Sequence, residues 1–289
     1  MQFTTYLRNG APRLALVDGQ DLIDLNDAQP QVPSDLRAAL TAGVDLQAAA
    51  RGALNDKAKR MPLASVQLAP LVPEPGKTVC LGLNYFDHAK EGGRTEKPDY
   101  PWFFFRAGSS FVAHGQPGVV PQVSTKFDYE AELAVVIGKK VPRHTKEADA
   151  LQYVFGYSCF NDMSVRDYQK RTPQWTIGKN FDATGGFGPV LVTADELPAG
   201  AIGLRIQSRL NGQVMQNANT SDMIFSVAET IALLADVLTL EPGDVLVMGT
   251  PAGVGQARTP PVWMKAGDTI EIEIERIGTL SNPIVNEAA

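Results

Sequence analysis

Phe127-Asp128-Tyr129-Glu130-Ala131-Glu132-Leu133-Ala134-Val135-Val136-Ile137-Gly138 carries two patterns at once. Leu133 to Ile137 is a short apolar run rich in β-branched residues and closed by a glycine, so it reads as a strand. Side chains two apart on a strand point the same way. Asp128, Glu130, Glu132, Ala134 and Val136 therefore share one face, and Phe127, Tyr129, Ala131, Leu133, Val135 and Ile137 the other. The acidic face turns apolar within two residues, which puts Glu130 and Glu132 where a sheet passes from a solvated end into a buried region. Carboxylates crowded there repel each other and resist desolvation unless a proton or a cation intervenes. Hard oxygen donors suit magnesium, manganese or calcium.

Thr269-Ile270-Glu271-Ile272-Glu273-Ile274-Glu275 alternates as well, but its acids oppose a clean face of Ile270, Ile272 and Ile274. That is a half-buried strand with a solvated side. Glu-x-Glu on a strand is thus a weak signal by itself; a metal site needs a third ligand and a pocket.

The rest of the composition sets bounds. A chain of 289 residues can bury a full core, and 44% apolar with 20% charged residues is ordinary for a globular protein. A formal net charge of −6 argues against a nucleic-acid partner. An anionic substrate would have to be held by local cations. Cys80 and Cys159 are the only cysteines, both in apolar contexts, so neither a disulfide scaffold nor a zinc site is expected. Met1-Gln2-Phe3-Thr4 has no basic-plus-apolar leader, and no apolar run approaches the ~20 residues of a membrane span. The expectation is a cytoplasmic chain with no membrane partner.

Along the chain, residues 2–7, 13–17 and 21–25 are short strand candidates punctuated by Asn9-Gly10 and Asp18-Gly19. Residues 34–60 read as helical, with Ser34 as N-cap. Ala69-Pro70-Leu71-Val72-Pro73-Glu74-Pro75-Gly76 reads as a linker, giving a small N-terminal α+β domain over 1–72 and a larger domain over 73–289. In the second part, residues 77–83, 155–160, 175–181, 189–193 and 245–248 are strand-like, and Asn211-Gly212 marks a hairpin. One clear helix starts at Ser226, with Glu229 completing a capping box, and stops at Pro242-Gly243. Short strands outnumber long helices, so the fold class is mainly β with peripheral helices, an α+β protein.

Several residues could carry chemistry. Asp162 is the natural third acid, although a carboxylate opening a helical turn is commonly an N-cap. Arg166 and Gln169 share a helix face with it, as a surface ion pair or as groups that hold a substrate carboxylate. His88 and Glu91 lie one helical turn apart, where a carboxylate could orient a proton-accepting imidazole. Lys179 is a cation in an apolar stretch, either snorkelling at an edge or aimed at a developing oxyanion. Gly249-Thr250-Pro251-Ala252-Gly253-Val254-Gly255 is not a phosphate loop but could present N–H groups and the Thr250 hydroxyl to an anion. No Gly-x-Ser-x-Gly motif occurs, which disfavours covalent hydrolase chemistry.

These pieces fall into one order: Gly82-Leu83-Asn84-Tyr85-Phe86-Asp87-His88-Ala89-Lys90-Glu91, Tyr129-Glu130-Ala131-Glu132-Leu133, Asn161-Asp162-Met163-Ser164-Val165-Arg166-Asp167-Tyr168-Gln169, Gly178-Lys179-Asn180-Phe181-Asp182, Met223-Ile224-Phe225-Ser226, and the Gly249–Gly255 loop. Together they closely resemble the fumarylacetoacetate hydrolase family over residues 77 to 285. The resemblance implies a mixed β-sandwich roll and a divalent metal, magnesium or manganese, on Glu130, Glu132 and Asp162. It also implies a His88–Glu91 pair handling water, with Lys179, Asn84, Tyr85, Arg166, Gln169 and Thr250 around the substrate. Homodimers acting on small 2-oxo acids are typical. Where many members carry Phe-x-Lys-Pro, this chain has Phe104-Phe105-Arg106-Ala107, which bears on substrate identity.

The expected reaction is metal-assisted hydrolytic C–C cleavage of a 2,4-dioxo acid, giving pyruvate and a carboxylic acid. Oxaloacetate decarboxylation and isomerisation or hydration of a 2-hydroxydienoate use the same activated carbonyl. A non-catalytic binding protein on the same scaffold is the reading from another class.

Overall fold

The computed structural model describes residues 1–55 and 57–288. The strand Ala131–Ile137 lies in the interior of a 12-stranded mixed sheet. On one side of it come Val154–Asp162, Gly185–Thr193, Gln2–Arg8, Ala11–Asp18, Asp21–Asp24 and Arg60–Pro62; on the other, Val245–Val247, Thr78–Gly82 and Trp102–Phe105. A five-stranded sheet, ordered Gln213–Asn219, Arg205–Leu210, Thr269–Ile274, Gly278–Asn286 and Gly118–Val120, packs against it.

Both faces of Ala131–Ile137 are buried, which explains why its acidic side turns apolar. Leu133, Val135 and Ile137 share a core with Ile270, Ile272 and Ile274 of the second sheet and with Ile231 and Leu234 of the helix Val227–Val237. Ala134 and Val136 share the other core with Phe3, Leu14, Leu36, Leu40 and Leu46 from the N-terminal region. At ~1.5–3 kcal/mol for each large apolar side chain removed from water, the two cores dominate the stabilisation of the sheet. The N-terminal strands join the large sheet directly, Gln2 pairing with Val192 and Phe3 with Leu191.

The mainly β, α+β expectation holds, as do the hairpin at Asn211-Gly212 (φ 52° and 80°) and the helix start at Ser226, whose hydroxyl accepts from Glu229 N at 3.1 Å. Other elements differ. The 34–60 helix is two, Leu36–Thr41 and Leu46–Ala53, capped by Asp35 and Asp45 rather than Ser34. A carboxylate bonded to the third helical N–H outcompetes the serine, and Gly43, at φ 70°, sits in the break between the two. The Ser226 helix ends at Val237, before Pro242-Gly243, because Leu238 turns extended at φ −145°. Residues 175–181 form no strand; Thr176–Lys179 is a single helical turn.

Candidate active site

Antiparallel register builds the acidic cluster. Ala131 pairs with Asn161 and Glu132 with Phe160, so the end of Val154–Asp162 lies beside Glu130, where Asp162 N donates to Glu130 O at 3.0 Å. The carboxylates of Glu130, Glu132 and Asp162 are buried, with one oxygen from each within 4.8 Å of the others. Glu130 and Glu132 line a cleft of about 580 Å³, and Asp162 is buried beside them.

Three cations meet them. Lys179 Nζ donates to Glu130 Oε2 and to Asp162 Oδ2, both at 2.7 Å. It reaches them from the end of Thr176–Lys179, which can pack against Arg166–Gln169 because Gly178 has no side chain; a Cβ there would lie 2.3 Å from Gln169 N. Arg166 spans two acids, with Nη1 2.6 Å from Glu130 Oε1 and Nε 2.8 Å from Asp128 Oδ2. Arg106 donates to Asp162 Oδ1 at 2.5 Å and to Thr184 Oγ1 at 3.0 Å.

Asp128 shares strand spacing with Glu130 and Glu132, yet it faces elsewhere. The chain departs from strand geometry at Tyr129 and Glu130, and Asp128 accepts from Gly255 N at 2.7 Å and Gln256 N at 3.0 Å. It ties Arg166 to the glycine-rich loop.

The electrostatics single out Glu132. Asp128, Glu130, Glu132 and Asp162 are four buried acids facing the three bases Arg106, Arg166 and Lys179. Burial alone would raise Glu130, but the charges of Lys179 and Arg166 outweigh it and hold that carboxyl well below the usual range. Among the described residues Glu132 has only a backbone partner, Gly249 N at 2.5 Å. Burial, with the negative charges of Asp162 and Glu130, pushes its carboxyl well above the usual range. A hard divalent cation fits this donor set: it would take oxygen from three acids and cover the one charge that lacks a base.

His88 and Glu91 stand on the cleft wall, on the helix Phe86–Glu91. His88 Nδ1 lies 3.2 Å from Glu91 Oε2, and Glu91 Oε1 accepts from Gly253 N at 2.8 Å. An ionised carboxylate only accepts, so Nδ1 carries the proton and Nε2 is the basic nitrogen. Gln169 and Thr250 also line the cleft. Gln169 Oε1 accepts from Arg166 Nη1 at 3.0 Å, and Thr250 Oγ1 accepts from Gln216 Nε2 at 2.7 Å, which leaves the Thr250 proton to be donated.

Asn84 and Tyr85 do not line the cleft. The Asn84 amide donates to Phe225 O (3.1 Å) and Met248 O (2.7 Å) and accepts from Phe225 N (2.7 Å). Tyr85 is buried, and burial raises its phenol far above the usual range. Both brace the start of the helix that carries His88. The sequence reading noted Arg106 only as a departure from Phe-x-Lys-Pro and Asp128 only as a member of the acidic face; neither was placed in the ion-pair cluster, and nothing local marks the irregular backbone that redirects Asp128.

Residues 77–285 match the family described as fumarylacetoacetate (FAA) hydrolase C-terminal. The chain is 40% identical over 274 residues to a mitochondrial oxaloacetate tautomerase, fahd2, of Xenopus laevis, covering 94% of this chain and 85% of the relative. It is 39% identical over 289 residues to oxaloacetate tautomerase YisK of Bacillus subtilis (strain 168), covering 93% of this chain and 94% of that one. The crystal structure of maleylpyruvate hydrolase from Sphingobium sp. SYK-6, in complex with manganese(II) and pyruvate, superposes at TM-score 0.82 with 31% identity over the full length of both chains. With the acids, cations and dyad above held in this fold, the chain belongs to the fumarylacetoacetate hydrolase family.

Proposed function

We propose that the protein acts on a 2-oxo acid bound through its carboxylate and 2-oxo groups, and that it moves a proton at the adjacent carbon: keto–enol tautomerisation of an oxaloacetate-type substrate. The observation that carries this reading is the buried acid–base cluster with one carboxyl, Glu132, that no base covers, opening into a cleft that also holds a carboxylate-oriented histidine. Similarity to two oxaloacetate tautomerases at 39% and 40% identity supports the choice of reaction.

Magnesium or manganese on Glu130, Glu132 and Asp162 would supply Lewis-acid polarisation of the 2-oxo group. The side chains do the rest. Arg166 and Gln169 hold the substrate carboxylate. Glu91, fixed by Gly253 N–H, keeps the His88 imidazole in one tautomer, so Nε2 takes the proton from the carbon next to the 2-oxo group. The developing charge on the 2-oxo oxygen is stabilised by hydrogen bonds from Lys179 and the Thr250 hydroxyl, and the His88 imidazolium gives that oxygen the proton it took from carbon, so that the enol forms with no net gain or loss of a proton. The reverse sequence regenerates the ketone.

A second reading rests on the same dyad. His88 Nε2 could instead deprotonate water for attack on a 4-oxo carbon, splitting a 2,4-dioxo acid into pyruvate and a carboxylic acid. Every residue lining the cleft lies at or after Leu81, which supports assigning the chemistry to 73–289 and an accessory role to 1–72. A cytoplasmic homodimer is the assembly we assign, supported by the family resemblance. Among the described residues no helix is long and apolar enough to cross a membrane.

The test is to follow decay of enol-oxaloacetate and cleavage of acylpyruvates with manganese-loaded protein, before and after chelation. Accelerated enol decay that chelation or His88→Ala abolishes is expected. Cleavage without enol decay would replace the first reading by the second, and acceleration of neither would leave the binding-protein alternative.

A further inference from the structure

Gln216, in the strand Gln213–Asn219 of the five-stranded sheet, is 1% exposed and takes no part in the acid–base cluster. Regular alternation along a strand would bury one of Met215 and Gln216 and expose the other. Both are buried, because the pairing with Arg205–Leu210 slips at this point. Ser208 pairs with Gln216 and Arg209 with Val214, which leaves Met215 as the extra residue of a β-bulge. A bulge re-aims side chains, and this one sends Gln216 across to the glycine-rich loop of the cleft.

Every hydrogen-bonding position of the Gln216 amide is used. Oε1 accepts from Ala131 N at 3.0 Å and from Ser208 Oγ at 2.9 Å; Nε2 donates to Pro251 O at 2.8 Å and to Thr250 Oγ1 at 2.7 Å. Two of these partners have fixed roles, since a backbone N–H can only donate and a carbonyl can only accept. They exclude the flipped amide, so the nitrogen faces Thr250. The Thr250 oxygen gives a lone pair to Nε2, and its own proton points away from Gln216. Among the described residues that proton has no protein acceptor, and Thr250 lines the cleft. The same bulge backs the other end of the loop. A Cβ on Gly253, at φ 104°, would come within 2.3 Å of Met215 O, which also accepts from Arg258 Nη2 at 2.5 Å.

We propose that Gln216 is a positioning residue: it never meets the substrate, but it sets the direction of the Thr250 hydroxyl so that this group reaches the 2-oxo oxygen as a hydrogen-bond donor. A hydroxyl left free to rotate would present a lone pair to the developing charge part of the time, and donors held in place beforehand are what stabilise such charge. The second sheet thereby reaches the reacting atoms through one buried amide. The inference rests on the 2-oxo acid reading above and names the group that prepares one of its donors.

The test is a double-mutant cycle on manganese-loaded protein, read as kcat and KM for whichever of enol-oxaloacetate decay and acylpyruvate cleavage the wild type accelerates. Gln216→Met, close to glutamine in shape but without the amide, should lower kcat about tenfold and leave KM within about twofold, because a transition-state donor is misdirected while binding is kept. Thr250→Val should lower kcat at least as much, and adding Gln216→Met to it should lower kcat by less than about twofold more. Thr250→Ser, which keeps the hydroxyl, should restore the full sensitivity to Gln216→Met. Where Gln216→Met does not fold, Gln216→Asn takes its place: it keeps an amide but is one methylene too short to reach Ala131 and Thr250 together. A merely structural role would give the same loss in every background. Losses that multiply in the Thr250→Val background, or a Thr250→Val protein as fast as the wild type, would therefore overturn the inference alone. A wild type that accelerates neither reaction would overturn the 2-oxo acid reading, and this inference with it.

Discussion

Glu130-Ala131-Glu132 and Glu271-Ile272-Glu273 carry the same local pattern and meet opposite fates. The first pair is buried among three cations, a third acid and a backbone N–H. The second pair lies at the surface of the five-stranded sheet, side chains 32% and 24% exposed, matched by Arg209 and Arg205. A strand fixes only which side chains share a face; what lies against that face decides whether two carboxylates are an ordinary solvated edge or a reactive centre. Here the deciding partners come from Asp162, Arg166, Lys179 and Arg106, all distant in sequence.

The sharpest way to break the parallel is to neutralise one acid in each pair. Glu132→Gln should abolish measurable turnover and weaken manganese binding by more than the roughly 100-fold that even outer-shell partners can cost, whereas Glu271→Gln should leave both within about twofold. Calorimetry with manganese and steady-state rates on the same preparations would check it; a Glu132→Gln protein that still binds manganese tightly would remove the acid cluster from the mechanism.

Removing a cation instead of an acid gives the next effect. Lys179→Met leaves the buried cluster one cation short, with Glu130 held only by Arg166 and Asp162 only by Arg106, and should cost about 3–5 kcal/mol in urea unfolding of metal-free protein. Arg209→Met, its surface counterpart, should cost about 1 kcal/mol or less. Added manganese should restore part of the loss in the first variant and none in the second.

A pH series separates the pairs more finely. Glu132, raised by burial and neighbouring charge, keeps a proton in the folded metal-free protein that the unfolded chain releases. Its contribution is fully present below the ordinary glutamate pKa of ~4.3 and is lost as pH rises from there toward the raised folded value. Chelated protein should therefore melt progressively lower across that window, and Glu132→Gln or saturating manganese should flatten the trend. Glu130, held low, works in the opposite sense: its contribution is present above the ordinary range and lost only in strong acid. The smallest expected effect is on Glu273→Gln, which should shift neither the melting curve nor its pH dependence by more than ~0.5 kcal/mol.

Much of this was legible in the sequence, unevenly. Period-two spacing was enough to put Glu130 and Glu132 together, and one helical turn was enough for His88 and Glu91. Lys179 was recognisable as a misplaced cation, but its helical turn was not, since the apolar run around it suits a strand equally well and only packing of Gly178 against Gln169 settles the matter. Asp128 was read on the acidic face and serves another purpose, because the backbone leaves strand geometry one residue later. Arg106 and the brace made by Asn84 depend on contacts 56 and 141 residues away in the chain, distances over which local pattern is silent.

The pairing of Gln2 and Phe3 with Val192 and Leu191 has a practical corollary. Trimming the protein to the stretch that the family match outlines would strip Phe3, Leu14, Leu36 and Leu40 from Ala134, Val136, Phe160, Phe187 and Leu191. The shortened chain would present a greasy slab beside a raw hydrogen-bonding margin, a combination that invites self-association. The first seventy residues thus act as the lid of a box whose contents they never touch.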